Sequence, residues 1–249
     1  MNRGVAVVTG ASSGIGAATA AALVEAGFEV VLGARREARL AQFAESLGTK
    51  ARAMVLDVSD EASVDAFCAQ IEECHLLLNN AGGALGLDSI SQANVEHWKT
   101  MFETNVLGTL YMTKALLPKL IASGDGQVIT IGSVAAFEAY VGGGGYNAAK
   151  HAERAVMDVL RMESLGQPIR VCEIDPGMVE TEFSLVRFDG NRQRADAVYQ
   201  GMIPLSAEDI AQCVVFAATR PSHVDIDQMI VRPRDQARVG LVHRHLEPS

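Results

Sequence analysis

A tyrosine and a lysine, Tyr146 and Lys150, stand four residues apart directly after a run of four glycines. On a helix, residues i and i+4 lie on the same face one turn apart, so the two side chains would point the same way. A phenol has a pKa of about 10, but a nearby ammonium group favours the phenolate. The pair could therefore act as an acid and a base, or it could be a tyrosine at a helix start beside a surface lysine. We expect the glycines to let the preceding loop pass close to a substrate.

A glycine-rich segment, TGASSGIG at 9–16, connects the first strand-like segment to an alanine-rich helical one. Glycines at such a turn let the backbone approach a pyrophosphate, and the helix N-terminus supplies amide donors. Because the segment joins the first strand to the first helix, it indicates a phosphate-binding turn rather than a turn that binds nothing. The residues predicted to contact the ligand here are Gly10, Ser12, Ser13, Gly14, Ile15 and Gly16.

Two arginines follow the second strand-like segment. In folds that bind NAD, an acidic residue about 20 residues past the glycines accepts a hydrogen bond from the ribose 2′-hydroxyl. Here that position is Ala34, followed by Arg35 and Arg36. A guanidinium attracts the 2′-phosphate of NADP, which a carboxylate would repel, so the sequence favours NADP over NAD. Alternatively, both arginines are solvated at a helix start. Asp57, after the third strand-like segment, is placed to meet the adenine or only to precede a helix.

Short apolar segments alternate with longer amphipathic ones along the chain. The segments that resemble strands by length and β-branched content are 4–9, 28–33, 52–56, 75–79, 126–132, 169–174 and 227–233. The helical segments are near 14–26, 37–47, 60–73, 94–122, 146–165 and 207–219. Ser59 and Ser206 are placed to begin two of these helices. The alternation predicts an α/β fold in which helices cover both faces of a parallel sheet.

Two long connections interrupt this alternation, one at 80–93 and one at 176–205. Ligands bind at the carboxyl ends of parallel strands, and connections of this length are usually functional. We therefore predict that the segment 176–205 folds over the substrate. Since neither a repeat nor a linker divides the chain, we predict one doubly wound domain over residues 1–249.

The composition argues against several classes of protein. The 249 residues are 49% hydrophobic and 20% charged, which suits one globular domain. A net charge of -9, with both signs interspersed, argues against binding to nucleic acid or to an anionic membrane. No apolar run reaches the length of a membrane span, and the first residues resemble a strand rather than a signal peptide. The four cysteines and six histidines form no recognisable ligand motif, so we expect reduced thiols, a cytoplasmic location and no metal site.

Six motifs together resemble one known family. They are TGASSGIG at 9–16, NNAG at 79–82, Asn105, Ser133, YNAAK at 146–150 and DPG at 175–177. Their order and spacing are similar to those of the classical short-chain dehydrogenases/reductases over nearly the whole chain. The resemblance implies a Rossmann fold with a seven-stranded parallel sheet, NADP(H) as cofactor, a small-molecule substrate and a homotetramer. Extended epimerases and dehydratases are disfavoured by the short length and the G-x-x-x-G-x-G spacing.

The resemblance also implies a role for each catalytic position. Tyr146 would protonate a carbonyl oxygen during reduction, or take the hydroxyl proton during oxidation. Lys150 would favour the phenolate and hold the nicotinamide ribose. Ser133 would donate a hydrogen bond to the substrate oxygen, and Asn105 would bend its helix and anchor a water that relays protons to Lys150. Taken singly, Ser133 and Asn105 could instead be an ordinary strand-end serine and an ordinary buried helix asparagine.

Further cofactor contacts are implied at the strand ends. Besides Tyr146 and Lys150, the residues expected to hold NADP are Val58, Asn80, Ala81, Gly82, Pro176, Gly177, Val179 and Thr181. Asn79 and Asn80 are also expected to tie neighbouring strands together.

The carboxyl third resembles one bacterial branch of the family, through the segments 175–190 and 231–245. That branch contains NADP-dependent 3-hydroxy acid dehydrogenases that act on L-allo-threonine, L-serine, 3-hydroxyisobutyrate and 3-hydroxypropionate. The hexapeptide VRPRDQ also resembles a clavulanate-type aldehyde reductase. A small hydroxy acid needs a countercharge for its carboxylate, and we predict that Arg187 supplies it, unless Arg187 is a surface residue of a mobile loop. The other predicted substrate contacts are Ser133, Phe137, Tyr146, Met178 and Phe183.

Two other functions fit the sequence. One is reduction of a larger ketone or aldehyde by NADPH. The other is an NADP-binding sensor without turnover, which is disfavoured because a degenerate relative would be expected to lose Tyr146 or Lys150. The tail at 244–249 is either disordered or reaches a neighbouring subunit.

Overall fold

Seven parallel strands form the central sheet. The computed structural model describes residues 3–245, so both ends of the predicted domain, and most of the tail at 244–249, lie outside the described residues. The strands are β1 (Val5–Thr9), β2 (Glu29–Ala34), β3 (Ala51–Val55), β4 (Leu76–Asn79), β5 (Gly126–Ile131), β6 (Ile169–Pro176) and β7 (Gln228–Val231). Their order is β3-β2-β1-β4-β5-β6-β7, and every neighbouring pair is parallel. The predicted doubly wound α/β fold is confirmed.

Helices cover both faces of this sheet. They are α1 (Gly14–Glu25), α2 (Glu37–Ser46), α3 (Glu61–Cys68), α4 (Val95–Phe102), α5 (Gly108–Ala122), α6 (Gly144–Glu163), α7 (Phe183–Arg187), α8 (Arg192–Ala197) and α9 (Ala207–Ala218). The first, second and ninth helices pack on one face, whereas α3, α5 and α6 pack on the other. A short antiparallel pair, β8 (Gln236–Arg238) and β9 (Leu241–Val242), follows the sheet.

Successive residues of the central strands face opposite sides of the sheet and create two hydrophobic cores. In β1, Ala6 and Val8 contact one core, whereas Val7 belongs to the other. In β4, Leu77 and Leu78 are divided between the cores in the same way. All five side chains are fully buried. Because both faces of a parallel sheet are covered, such strands are continuous apolar runs rather than alternating ones.

The predicted helix over 94–122 contains a π-helical turn. This turn, Glu103–Leu107, joins α4 to α5. Asn105 lies in it and is fully buried, and its Nδ2 donates to the carbonyl oxygen of Met101 at 2.7 Å. A buried carbonyl needs a hydrogen-bond partner, so the asparagine stabilises the irregular turn. Turns of this kind are a common cause of helix kinks, in keeping with the bend expected at Asn105.

Two helix starts were predicted at serines, and one of these predictions is wrong by one residue. Ser206 begins α9 with a reciprocal capping box. In contrast, α3 follows Asp60, whose carboxylate accepts a backbone N–H of the first turn. The Ser59 hydroxyl bonds to Asp57 instead, at 2.7 Å. The carboxylate of Asp57 thus competes successfully for the serine.

Two of the four glycines before Tyr146 serve helix packing. α6 begins inside this run, at Gly144. A Cβ atom at Gly144 would lie 2.9 Å from Trp98, and one at Gly145 would lie 2.4 Å from Met101, both on α4. The glycines therefore let α4 approach the start of α6 closely. None of them lines the large cleft described below, but Tyr140 of the preceding loop does, so the expectation that this loop passes close to a substrate stays a prediction.

The segment 176–205 is folded rather than irregular. It contains α7 and α8, and its ends pair through a parallel bridge between Val179 and Leu205. The Tyr199 hydroxyl donates to the carbonyl oxygen of Val179 at 2.8 Å and lies 2.8 Å from the Ser184 hydroxyl. These bonds close the segment on itself at the carboxyl end of β6. Between residues 3 and 245, no helix is long and apolar enough to cross a bilayer.

Leu116 on α5 is fully buried in the core between the sheet and α3, α5 and α6, so its truncation tests the packing of that core. We expect Leu116→Ala to lower the free energy of unfolding by about 2–5 kcal/mol, because it removes buried methyl groups and leaves a cavity. The control is Leu165→Ala, since Leu165 is 90% exposed. This change should cost less than about 0.5 kcal/mol. Urea unfolding measures both, and equal losses would contradict this assignment of the core.

Candidate active site

The carboxyl ends of β1, β4, β5 and β6 open into one cleft of about 710 Å³. The strand order reverses between β1 and β4, and ligands of doubly wound sheets bind at such a point. Of the predicted cofactor contacts, all but Gly16 line this cleft. They are Gly10, Ser12, Ser13, Gly14, Ile15, Arg35, Arg36, Asp57, Val58, Asn80, Ala81, Gly82, Tyr146, Lys150, Pro176, Gly177, Val179 and Thr181.

Two glycines let β1, α1 and the end of β4 meet without intervening side chains. A Cβ atom at Gly16 would lie 2.4 Å from Asn80 Nδ2 and 2.5 Å from the carbonyl oxygen of Gly10. Asn80 Nδ2 donates to the carbonyl oxygen of Thr9 at 2.8 Å, and its backbone N–H donates to Thr9 Oγ1 at 2.9 Å. Asn80 therefore ties β4 to β1, as predicted. Gly16 does not line the cleft, and its missing side chain lets Asn80 and the Gly10 carbonyl approach the start of α1. The open backbone of the turn, at the start of α1, fits a pyrophosphate.

Arg36 is bonded directly to the glycine-rich turn. Its Nη2 donates to Ser13 Oγ at 2.6 Å, and its Nε donates to Ser12 Oγ at 3.1 Å. Glu182, from the segment 176–205, accepts Arg39 Nη1 at 2.7 Å and Arg36 Nη1 at 3.0 Å. These two bonds lower the pKa of Glu182 to about 2. Arg36 thus already binds one anion beside the turn, which fits a site for a phosphate.

Three other predicted residues have identifiable surroundings. Arg35 is exposed on the wall of the cleft. Asp57 also faces the cleft, while its Oδ1 accepts the backbone N–H and the hydroxyl of Ser59 at 3.0 and 2.7 Å. Asn79 Nδ2 donates to Thr113 Oγ1 at 3.0 Å, so Asn79 ties β4 to α5 rather than to a neighbouring strand.

Tyr146 faces the cleft from the first turn of α6 and is 9% exposed. Its ring packs edge-on against Phe183 of α7, with 5.5 Å between the ring centroids. Phe183 therefore brings the segment 176–205 over the tyrosine as an apolar wall. Ser133, after β5, lines the same cleft, and its Oγ accepts the backbone N–H of Ala135 at 3.1 Å. Since the oxygen is the acceptor in this bond, the hydroxyl proton can still be donated to a ligand.

Lys150 lies at the floor of the cleft with its ammonium group held by two acceptors. Nζ donates to the carbonyl oxygen of Ile131 at 2.9 Å and to Glu153 Oε2 at 2.6 Å, and it lies 6.0 Å from the centre of the Tyr146 ring. The other Glu153 oxygen accepts the Thr109 hydroxyl at 2.9 Å. Burial disfavours the charged amine, but the charges of Glu153, Tyr146 and Glu173 together outweigh it and raise the pKa of Lys150. Burial also raises the pKa of Glu153, while Lys150 and Thr109 oppose that rise. The lysine is therefore protonated at neutral pH.

Two buried carboxyl groups from β6 lie behind Ser133. A Cβ atom at Gly132 would come within 2.2 Å of Asp175 Oδ1 and 2.5 Å of Glu173 Oε1, so the close approach requires glycine. Asp175 accepts the Ser133 N–H at 2.9 Å and Gln228 Nε2 at 2.8 Å, yet burial still raises its pKa to about 6. Burial and then the charge of Asp175 raise the pKa of Glu173 to about 8. Glu173 is therefore largely protonated near neutral pH.

Asn105 lies behind the cleft and does not line it. Its Oδ1 accepts the Gly83 N–H at 3.1 Å, and its Nδ2 donates to the Gly83 carbonyl oxygen at 3.0 Å. A Cβ atom at Gly82 would lie 2.5 Å from Asn105 Oδ1 and 3.8 Å from Lys150 Nζ. Asn105 thus fixes the chain after β4 beside the lysine. Its role in a water relay stays a prediction.

The structure brings Arg187 into the cleft but not Phe137. Arg187 Nε donates to the carbonyl oxygen of Gly86 at 3.0 Å, and its guanidinium lies 5.4 Å from the centre of the Tyr140 ring. Phe137 instead lies 4.6 Å below the guanidinium of Arg154. The prediction that Phe137 forms a wall of the substrate site is therefore corrected. The local turn after β5 directs its ring toward α6.

Several cleft residues were not indicated by any sequence motif. Most come from the two long connections, and they are Gly83, Leu87, Thr104, Val134, Tyr140, Glu182, Val186, Phe188, Val198, Tyr199, Gln236 and Val239. Met178, a predicted wall, also lines the cleft. Glu153, the acid bonded to Lys150, was also not predicted; its position three residues after the lysine places it on the same helix face, but its bond to Thr109 depends on how α5 packs.

The arrangement suits a dinucleotide bound along the cleft and proton transfer at its far end. The open glycine turn and Arg36 lie at one end, and Tyr146, Ser133 and Lys150 lie at the other. A phenol beside a buried cation and a serine hydroxyl can exchange a proton with a substrate oxygen. The residues therefore fit a nicotinamide dinucleotide.

Comparison with known proteins agrees with this geometry. A family model described as short chain dehydrogenase matches residues 4–191. An uncharacterized oxidoreductase of Mycobacterium tuberculosis is 58% identical over 233 residues, which are 94% of this chain and 92% of that protein. An NADP-dependent 3-hydroxy acid dehydrogenase of Schizosaccharomyces pombe is 40% identical over 247 residues, covering 96% of this chain and 95% of that protein.

A solved structure is also similar to this chain. The closed form of serine dehydrogenase complexed with NADP+ has a TM-score of 0.92 and 37% sequence identity, over 96% of this chain and 99% of that one. The family that the motifs predicted is confirmed, and the protein is an oxidoreductase. The chain belongs to the short chain dehydrogenase family.

Proposed function

We propose that this protein is an NADP-dependent dehydrogenase that interconverts a small 3-hydroxy acid and the corresponding 3-oxo acid. The observation that carries the proposal is the placement of Tyr146 and Ser133 beside the buried Lys150, in a cleft whose other end holds the glycine turn and Arg36. The names of two relatives support the substrate class, since serine is itself a 3-hydroxy acid.

Tyr146 is the residue that moves the proton. A nicotinamide held in this cleft would supply or accept the hydride at the reacting carbon. During reduction the Tyr146 hydroxyl donates its proton to the carbonyl oxygen, and during oxidation the phenolate takes it back. The Ser133 hydroxyl donates a hydrogen bond to the same oxygen and stabilises the charge that develops there. Phe183 packs on the tyrosine ring and keeps water away from the reacting atoms.

Lys150 assists this transfer without touching the substrate. Its ammonium group favours the phenolate and holds the nicotinamide ribose. Asn105 anchors a water that relays protons between solvent and Lys150. The support for this relay is that Asn105 Oδ1 and Lys150 Nζ approach the same point beside Gly82.

NADP is the proposed dinucleotide because Arg36 offers its guanidinium beside Ser12 and Ser13. A 2′-phosphate at this place would gain charge-assisted bonds, and Ala34 presents no carboxylate to repel it. Glu182 occupies one face of Arg36, so the phosphate and Glu182 would share one guanidinium. The pyrophosphate would lie on the glycine turn at the start of α1.

Arg187 is the proposed countercharge for the substrate carboxylate. It lies on the cleft wall in the segment 176–205, together with Met178 and Phe183. The Tyr140 ring beneath it orients the guanidinium. A planar guanidinium binds a carboxylate in two parallel hydrogen bonds, which suits a small acid.

A second candidate substrate is a larger ketone or aldehyde. The observation in its favour is the set of apolar and aromatic side chains that line the same cleft as Arg187, namely Val186, Phe188, Val198 and Tyr199. A sensor that binds NADP without turnover is less well supported, because the chain keeps all four proposed catalytic residues.

We also propose that the chain is a single NADP-binding domain that assembles as a homotetramer in the cytoplasm. Apolar side chains stand partly exposed on the long helices, with Phe102 at 44%, Leu110 at 41% and Met162 at 68%. Such side chains suit an interface between subunits. The four cysteines are free thiols, as expected in a reducing compartment.

Tyr146→Phe tests the proton transfer, because it removes the hydroxyl and keeps the ring that packs on Phe183. We expect kcat for L-serine or L-allo-threonine to fall by about 10²–10⁴-fold, the usual contribution of general acid–base catalysis. Turnover is followed by the absorbance of NADPH. Tyr140→Phe changes a second cleft tyrosine and should lose far less. A smaller effect at Tyr146 than at Tyr140 would contradict the assignment.

Arg36→Ala tests the preference for NADP. We expect the Kd of NADP to rise by about 10- to 100-fold, because a charge-assisted bond to the 2′-phosphate is lost, while the Kd of NAD changes little. Arg35→Ala removes the same charge from the same wall without the bonds to Ser12 and Ser13, so its effect should be smaller. Quenching of Trp98 fluorescence measures both. An equal loss for NAD and NADP would contradict the proposal.

Arg187→Ala tests the countercharge. We expect the KM of L-serine to rise about 10-fold or more, since one charge-assisted hydrogen bond is worth at least that factor. The KM of a neutral secondary alcohol should stay the same, and Arg187→Lys should recover part of the loss. Arg187 also bonds to Gly86, so an equal loss for both substrates would indicate a structural role and contradict the proposal.

A further inference from the structure

Glu153 lies behind the catalytic lysine, in a place that the proposed mechanism does not use. It is 1% exposed, and both of its oxygens are bonded, one to Lys150 Nζ at 2.6 Å and the other to the Thr109 hydroxyl at 2.9 Å. Taking a carboxylate and an ammonium group out of water is costly, and a buried ion pair seldom repays that cost in stability. Its presence at the reacting end of the cleft therefore points to a role in the chemistry.

We propose that Glu153 is a positioning residue whose carboxylate keeps the buried Lys150 ammonium protonated and holds it at the floor of the cleft. The proposal rests on the proposed function, because it acts through Lys150 and Tyr146. It adds a fifth polar position to the four that the family motifs indicate.

The local geometry makes Glu153 the immediate partner of the lysine. The two residues are three positions apart on α6, which places both side chains on one face of the helix. Thr109 on α5 fixes the carboxylate from the opposite side, so the oxygen that faces Lys150 cannot turn away without losing a second bond. The Ile131 carbonyl at the end of β5 holds Nζ from the sheet.

The other charged groups around Lys150 do not replace this carboxylate. Glu173 on β6 is largely protonated near neutral pH, and Asp175 on the same strand is committed to Ser133 and Gln228. Arg154 on α6 is a cation and is turned toward the Phe137 ring. Burial alone would favour the neutral amine of Lys150. Glu153 is the first of the groups that raise the pKa of Lys150, ahead of Tyr146 and Glu173, and the only one of the three that bonds to Nζ.

This dependence has a consequence for the reaction. A neutral Lys150 would no longer favour the phenolate of Tyr146, so oxidation, which uses that phenolate as its base, would slow once the lysine loses its proton. With Glu153 in place, the ammonium group persists to higher pH. Glu153→Gln preserves the shape of the side chain and removes the charge. Its single amide oxygen accepts from Thr109 or from Lys150, so one of the two acceptors of the carboxylate is lost with the charge.

Competitive acetylation of the intact protein measures the charge of Lys150 directly. Wild type and Glu153→Gln are treated with trace acetic anhydride over a pH series, and mass spectrometry quantifies each lysine. The internal references are Lys50, Lys99, Lys114 and Lys119. In Glu153→Gln, we expect the midpoint of Lys150 acetylation to fall by at least about one pH unit, which is about 10-fold faster acetylation below the midpoint. The reference lysines should not change, and an unchanged or higher midpoint for Lys150 would overturn the proposal.

Glu153→Asp keeps the charge but lengthens its distance from Nζ, so we expect a smaller shift in the same direction. A shift as large as that of Glu153→Gln would overturn the proposal. Should Glu153→Gln fail to fold in a thermal-melting control, Glu153→Asp alone decides, because the proposal requires it to lower the midpoint measurably.

The pH dependence of kcat/KM for the oxidation of L-serine gives the second readout. In Glu153→Gln the alkaline limb should move to lower pH, and Glu153→Asp should restore most of the range. An equal loss of activity at every pH, with the limb unmoved, would indicate a merely structural residue and overturn the proposal. A shift in acetylation in a protein that turns over none of the substrates would support the role of Glu153 and count against the proposed function.

Discussion

The parallel pairing of β1 with both β2 and β4 is the constraint on which the rest of the structure depends. Because the strand order reverses here, the connections after β1 and β4 leave the sheet in opposite directions and open a gap between them. Gly16 and the bonds from Asn80 to Thr9 set the width of that gap. The residues that follow β5 and β6 join the same site, because the carboxyl ends of parallel strands meet at one edge of the sheet.

The site concentrates buried ionisable groups between two apolar layers. Lys150, Glu153, Glu173 and Asp175 all lie within the fold, close to the ends of β5 and β6. Gly132 makes this possible, because any side chain there would displace the two β6 carboxyl groups. Buried ion pairs add little to stability, so this part of the molecule is less stabilised than an apolar core of the same size would be. The sheet around it, by contrast, is continuous hydrophobic core.

The sequence predicted the parts of the fold that depend on neighbouring residues. Periodicity gave the strands and helices, and spacing alone placed Tyr146 and Lys150 on one helix face. The residues that prediction missed depend on contacts between distant elements. Phe137 turned to Arg154 because of the turn after β5, and Glu153 acquired its role only when α5 brought Thr109 to it. The walls supplied by the segment 176–205 likewise follow from how that segment folds, which no local pattern indicates.

Two of the contacts that attach the segment 176–205 to the remainder of the cleft differ in physical character. At one place Glu182 reaches Arg36 and Arg39, and all three side chains are more than 40% exposed, so dissolved ions screen this attraction. At the other place Phe183 packs on Tyr146, a contact that dissolved ions do not weaken. Of these two contacts, ionic strength therefore weakens only the one at Glu182. High salt should loosen the segment beside the glycine-rich turn while its packing over Tyr146 stays closed.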